Sequence, residues 1–247
     1  MKSEAKVISM ICKYLMFREA YHELDGEEFI SQSPEVYLEK IYVAHEDKER
    51  SLSQPRAHVA NGYVAVRQQE ASNGLLRSLF TLEQELIIRE DSINDEVLFP
   101  WLTGHFKSAM GESIEAAKLQ CARDGVAVNN YLRSFFGRAG IPFDEVSTMH
   151  WSIACNVTTA QLFCHWQDDQ GGYNMRCFCS ANLGASIFNQ DRNDHMVFMR
   201  KCLRNLLEYA QHERIDKIKE AISAIQLARD AKGKAEAAAP GSTPRSA

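Results

Sequence analysis

Residues 98–107 constrain the fold of this chain more than any other stretch. The run Leu98-Phe99-Pro100-Trp101-Leu102-Thr103-Gly104-His105-Phe106-Lys107 is short, apolar and aromatic, which predicts a buried strand. A long helical pattern follows. After Gly111-Glu112, residues Ile114, Ala117, Cys121, Gly125, Val128, Leu132 and Phe135 recur at three- and four-residue steps. Gly137 and Gly140-Ile141-Pro142 end it. Three β-like segments come next, at about 149–155, 160–166 and 173–179. Asn156-Val157-Thr158-Thr159 supplies a hairpin connection, and Asp168-Asp169-Gln170-Gly171-Gly172 a turn.

The flanking segments complete the pattern. Val7, Ile11, Tyr14, Leu15 and Phe17 give a helix over about 4–24, broken by Asp25-Gly26. Ser33-Pro34-Glu35 reads as an N-cap followed by Pro at the first helical position, opening a short helix to about residue 43. Residues 45–56 are a polar loop. Residues 57–66 turn strand-like, with Gly62 marking a bulge, and 75–88 return to helix. Two helices are expected near the end, at about 191–210 and 213–228. The Ala, Gly, Pro, Ser and Lys after Asp230 predict a disordered tail. Three units result: an N-terminal helical segment at 1–45, a core domain at 55–228 and a tail at 230–247. The element order is mixed α/β and suits a single three-layer domain.

Composition narrows the function. The net charge of -5 disfavours a constitutive nucleic-acid binder, so any such contact rests on a local patch. Seven cysteines, an odd number without a CxxC pair, argue against a disulfide framework or zinc finger and for a reducing compartment. The run at 7–17 contains Lys13 and lacks a cleavage site, so it reads as a buried helix rather than a signal peptide. No stretch reaches the roughly 18–20 apolar residues of a membrane span. The expectation is an intracellular protein of nucleus or cytoplasm with no membrane partner.

Several windows taken in order carry a resemblance. They are Pro55-Arg56-Ala57-His58-Val59-Ala60-Asn61-Gly62-Tyr63, the strand 98–107 ending in His105-Phe106-Lys107, and Gln120-Cys121-Ala122 on the long helix. Trp151-Ser152-Ile153-Ala154, Ala160-Gln161-Leu162-Phe163-Cys164-His165-Trp166 and Arg204-Asn205-Leu206-Leu207-Glu208-Tyr209 follow, before Arg214-Ile215. Together these resemble the fungal PD-(D/E)XK nuclease-like domains of unknown function, over about 55–225. The resemblance implies a restriction-endonuclease-like three-layer core, a mixed central sheet flanked by helices, with extra N-terminal helices. In that fold one strand presents an Asp. The next presents an acid followed two residues later by Lys, on the same face of the strand. The carboxylates hold Mg²⁺ through oxygen, and metal and Lys together activate water and stabilise the transition state.

This sequence departs at the decisive points. His58 stands at the position of the first Asp and His105 at that of the second acid, while Lys107 and Gln120 remain as vestigial catalytic positions. Neutral imidazole is a poor Mg²⁺ ligand, so no metal is expected. The resemblance then implies a pseudoenzyme: a catalytically inactive nuclease-like module that binds a protein partner, or less favourably a nucleic acid. One alternative is an active nuclease using Mg²⁺ or Mn²⁺ through displaced acids, with Asp95, Glu96, Glu112 and Glu115 as candidates, or a softer metal on His58 and His105. The other is a scaffold or oligomerisation subunit. Blander readings stand beside these. His58 is a loop histidine, Gln120 a polar helix flank, and His165, Trp151 and Trp166 core or edge-strand residues. Cys177 and Cys179, two apart, share one strand face as packing. Arg200, Lys201, Arg204, Arg214, Lys217 and Lys219 alternate with acids on a solvated helix face.

Overall fold

The computed structural model describes residues 29–39, 54–107, 113–183 and 194–238. The helix expected over 4–24 and most of the loop at 45–56 lie outside them. Within them lies one six-stranded sheet in the order β1-β2-β3-β4-β5-β6. Its strands are β1 (Ile30–Tyr37), β2 (Arg56–Tyr63), β3 (Leu98–Phe106), β4 (His150–Cys155), β5 (Thr159–Gln167) and β6 (Tyr173–Asn182). β1 to β3 pair antiparallel with one another, β3 and β4 run parallel, and β4 to β6 are antiparallel again. The parallel step requires a crossover, supplied by the 26-residue helix α3 (Ile114–Ala139). Two short helices, α1 (Val66–Ala71) and α2 (Leu82–Arg89), lie between β2 and β3. The chain closes with α4 (Asp194–Tyr209), a π-helical turn (Ala210–Arg214) and α5 (Ile215–Ala238). The mixed α/β class therefore holds, as a mixed sheet flanked by helices.

Local chemistry explains most boundaries. Ser113 caps α3 by accepting from the Ala116 N–H, and Gly140 ends it at φ 64°. Thr81 and Gln84 form a reciprocal capping box that starts α2. That box makes the helix begin at Leu82 rather than near residue 75. The bulge expected at Gly62 is present. The β2–β3 register shifts between Asn61 and Tyr63, and a Cβ on Gly62 would sit 2.5 Å from the Leu98 carbonyl oxygen.

Three expectations need correction. Ser33-Pro34-Glu35 does not open a helix; it lies inside β1. Pro34 pairs with Val59 and Glu35 takes φ 56°. The first strand of the sheet tolerates a residue that cannot donate to the ladder. Val66 opens α1 instead of closing β2. The last helix passes Asp230 and continues to Ala238, because Ala, Lys and Glu are strong helix formers and outweigh Gly233.

The two faces of the sheet differ in chemistry. Leu102, Phe106, Ile153, Cys155, Ala160, Leu162, Cys179 and Ala181 pack with Met199, Cys202, Leu203, Leu206 and Leu207 of α4 in one apolar cluster. Intervening residues face α3. There the apolar cluster shrinks to Ala117, Cys121, Ala154 and Phe163, and Thr103, His105, His150, Ser152 and His165 fill the rest. All five are buried. A third cluster joins Tyr63, Leu98 and Phe99 to α2, the second half of α3 and α5.

Candidate functional site

The polar face under α3 gathers the chemistry-bearing residues. Val59 pairs with Gly104 across β2 and β3, so the register brings His58 beside His105. Their ring centroids lie 5.4 Å apart. The His58 Nδ1 accepts the Phe106 N–H at 3.0 Å. Lys107 falls one residue past the end of β3 and is buried; its N–H donates to the Cys155 carbonyl at 2.8 Å. His58 and His105 thus come together at one end of the β2–β3 pair, with the Lys107 backbone directly following. Gln120 lies on α3, half-buried, and its Oε1 has no hydrogen-bond partner.

His105 is fully buried, and its Nε2 lies 2.8 Å from Asp124 Oδ2 on α3, itself fully buried. Asp124 was not singled out from sequence. It is one helical turn from Gln120 and three residues from Cys121, so a charged side chain inside the apolar stripe of α3 was the available signal. His105 Nδ1 and Asp124 Oδ1 are also buried without partners.

The polar layer continues inward. Ser152 Oγ lies 2.6 Å from His165 Nε2, and Thr103 Oγ1 lies 3.0 Å from His150 Nε2. The two histidine rings are 5.8 Å apart. Burial pushes the His165 imidazolium down to a pKa of about 4, against a smaller opposing pull from Asp124. Burial also holds His150 well below the usual histidine range, with His165 and Arg214 adding to the effect. Burial raises the Cys121 thiol far above the usual range, although Ser152 hydrogen-bonds to it. Helix α3 approaches this layer through Gly125. A Cβ there would lie 2.3 Å from His165 Nδ1.

Arg214, expected on a solvated helix face, is instead buried. It donates to the carbonyls of Phe99 at 3.0 Å and Pro100 at 3.3 Å, and it lies over the Tyr63 ring. Phe99 has a φ of 45°. The π-helical turn places Arg214 where it holds that irregular stretch of β3.

The proposed displaced acids point elsewhere. Asp95 pairs with Arg89, Glu96 accepts from Ser33, and Glu115 pairs with Lys118; Glu112 lies outside the described residues. Among the described residues, no group of three or more His, Cys, Asp or Glu side chains is placed to hold a metal ion. None of their helices is long and apolar enough to cross a membrane.

With this geometry in place, family membership follows from comparison. The chain belongs to the family described as a domain of unknown function, DUF7924, whose model matches residues 1–222. No curated protein and no solved structure matches the chain.

Proposed function

We propose that the chain is a catalytically inactive nuclease-like module that acts by binding a protein partner. The carrying observation is the state of His105. At the position where a nuclease of this type would open a carboxylate to a hydrated cation, an imidazole with no exposure is bonded to an equally buried Asp124. His58 is engaged as well, by the Phe106 N–H. A divalent ion needs several oxygen ligands and access; the sealed His105–Asp124 contact supplies one carboxylate and no exposure. The restriction-endonuclease-like reading is supported by the order of parts. Neighbouring strands β2 and β3 carry His58 and His105-Phe106-Lys107, and a helix bearing Gln120 leads on to β4. The net charge of -5 favours a protein partner over a nucleic acid.

The test is incubation of the purified chain with single- and double-stranded DNA and RNA in millimolar Mg²⁺, Mn²⁺ or Zn²⁺. No cleavage is expected. One observation favours a second reading, a metal-dependent nuclease with a displaced acid. Asp124 Oδ1, His105 Nδ1 and Gln120 Oε1 are buried acceptors or donors without partners. Cleavage that disappears in both Asp124→Asn and Lys107→Ala establishes that second reading and removes the first.

A further inference from the structure

The sequence places Cys177 and Cys179 two residues apart, an arrangement that puts both thiols on one face of a regular strand. The structure separates them. Leu162 pairs with Cys179 and Phe163 with Cys177, with a register shift between Leu162 and Phe163. Consecutive residues of β5 point to opposite faces, and cross-strand partners share a face. Cys177 therefore faces α3, where Lys118 is its charged neighbour. Cys179 faces α4 and joins the apolar cluster that contains Cys202. The Cys202 thiol is an electrostatic neighbour of Cys179 within that cluster, where α4 packs on β6. Each residue is 8% exposed, so the pair sits at the margin of the cluster rather than at its centre.

We propose that Cys179 and Cys202 form a redox site, a dithiol that a low-molecular-weight disulfide such as oxidised glutathione converts to an internal disulfide joining β6 to α4. One protein thiolate attacks a sulfur of the small disulfide; the S–S bond breaks and one small thiolate leaves with the electron pair. The second protein thiol gives up its proton and attacks the protein sulfur of the mixed disulfide. A second small thiolate leaves, and the two leaving groups take up the protons. The protein dithiol is oxidised by two electrons and the small disulfide is reduced to two thiols. Burial and the neighbouring Cys202 push the Cys179 thiol up to about 12. Thiolate is scarce at neutral pH, so the rate climbs about tenfold per pH unit through the range about 7–9. Cys177 lies on the other face, whereas Cys155 shares the apolar cluster and is the competing partner that the mapping must exclude.

The experiment treats the full chain with oxidised glutathione at mildly alkaline pH, then maps peptides without reduction. The expected result is a mass lower by two hydrogens and a Cys179–Cys202 cross-link that persists in Cys177→Ser. The bridge closes a long loop, so the melting temperature rises by roughly 5–10 °C. Dithiothreitol reverses the rise, and Cys202→Ser lacks it. Glutathione adducts without a cross-link, a cross-link to any other cysteine, or no oxidation at all overturns the proposal. Mapping of the unaltered protein decides the matter even where a variant fails to fold.

Discussion

Helix α3 contains two glycines that should respond in opposite directions to the same substitution. Glycine in a helix interior is less favourable than alanine by about 0.5–1 kcal/mol, because more backbone freedom is lost on folding. At Gly137 a Cβ meets nothing within 4 Å, so Gly137→Ala should stabilise the protein by about that amount. At Gly125 the same Cβ would lie 2.3 Å from Nδ1, 2.5 Å from Cγ and 2.9 Å from Cβ of His165. Contact between carbon atoms is comfortable at about 3.5–4.0 Å, so either helix or ring must move by about 1 Å. The ring is not free to move, because Ser152 Oγ lies 2.6 Å from its Nε2 and the residue is buried. Overpacking of this kind costs about 1–3 kcal/mol, and losing the Ser152 contact adds about 1 kcal/mol. After the propensity gain, Gly125→Ala should be destabilised by about 1–3 kcal/mol. Urea unfolding followed by tryptophan fluorescence measures both, with the slopes compared to exclude a change of denatured state. If Gly125→Ala proves as stable as the parent or more so, the close approach of α3 to the histidine layer is refuted.

Three further outcomes are expected. His150 and His165 have folded pKa values below the unfolded value of about 6.5. As pH falls from 6.5 toward 4 the unfolded chain takes up protons that the folded chain refuses, so each histidine removes up to about 1.4 kcal/mol of stability per pH unit. The urea midpoint should fall across that range and fall less steeply in His165→Asn; a flat midpoint would contradict the neutral buried pair. Arg214→Met strands the carbonyls of Phe99 and Pro100. At about 1–3 kcal/mol per buried unsatisfied group, a loss of about 2–6 kcal/mol is expected, and an unchanged melting curve would show that the guanidinium does not hold β3. The pair His58→Asp with His105→Glu sets a carboxylate against Asp124, which lies 2.8 Å from the native imidazole. The double variant should melt well below the parent, and millimolar Mn²⁺ should restore part of the difference by binding only the folded state. Equal metal responses from variant and parent would remove the main support for nuclease ancestry.

The sequence alone determined the elements whose signal is local. The apolar run of β3, the three- and four-residue recurrence of α3 and the turns at 156–159 and 168–172 need no tertiary information, because periodicity and turn chemistry are written in neighbouring residues. Ser33-Pro34 misled for the same reason. An N-cap pattern is local, whereas pairing of β1 with β2 depends on a strand more than twenty residues away. The approach of His58 to His105 followed the register that the resemblance implied, but the complete burial of His105 did not. Asp124 became the partner of His105 only when the parallel step from β3 to β4 laid α3 across that face of the sheet. The same holds for His150, His165 and Arg214, whose environments come from segments distant in sequence. The bulge in β5–β6 separated Cys177 from Cys179, since one register shift exchanges the faces of a strand. Local propensity thus set most of the elements. Packing decided which side chains were sealed, which were neutral and which met.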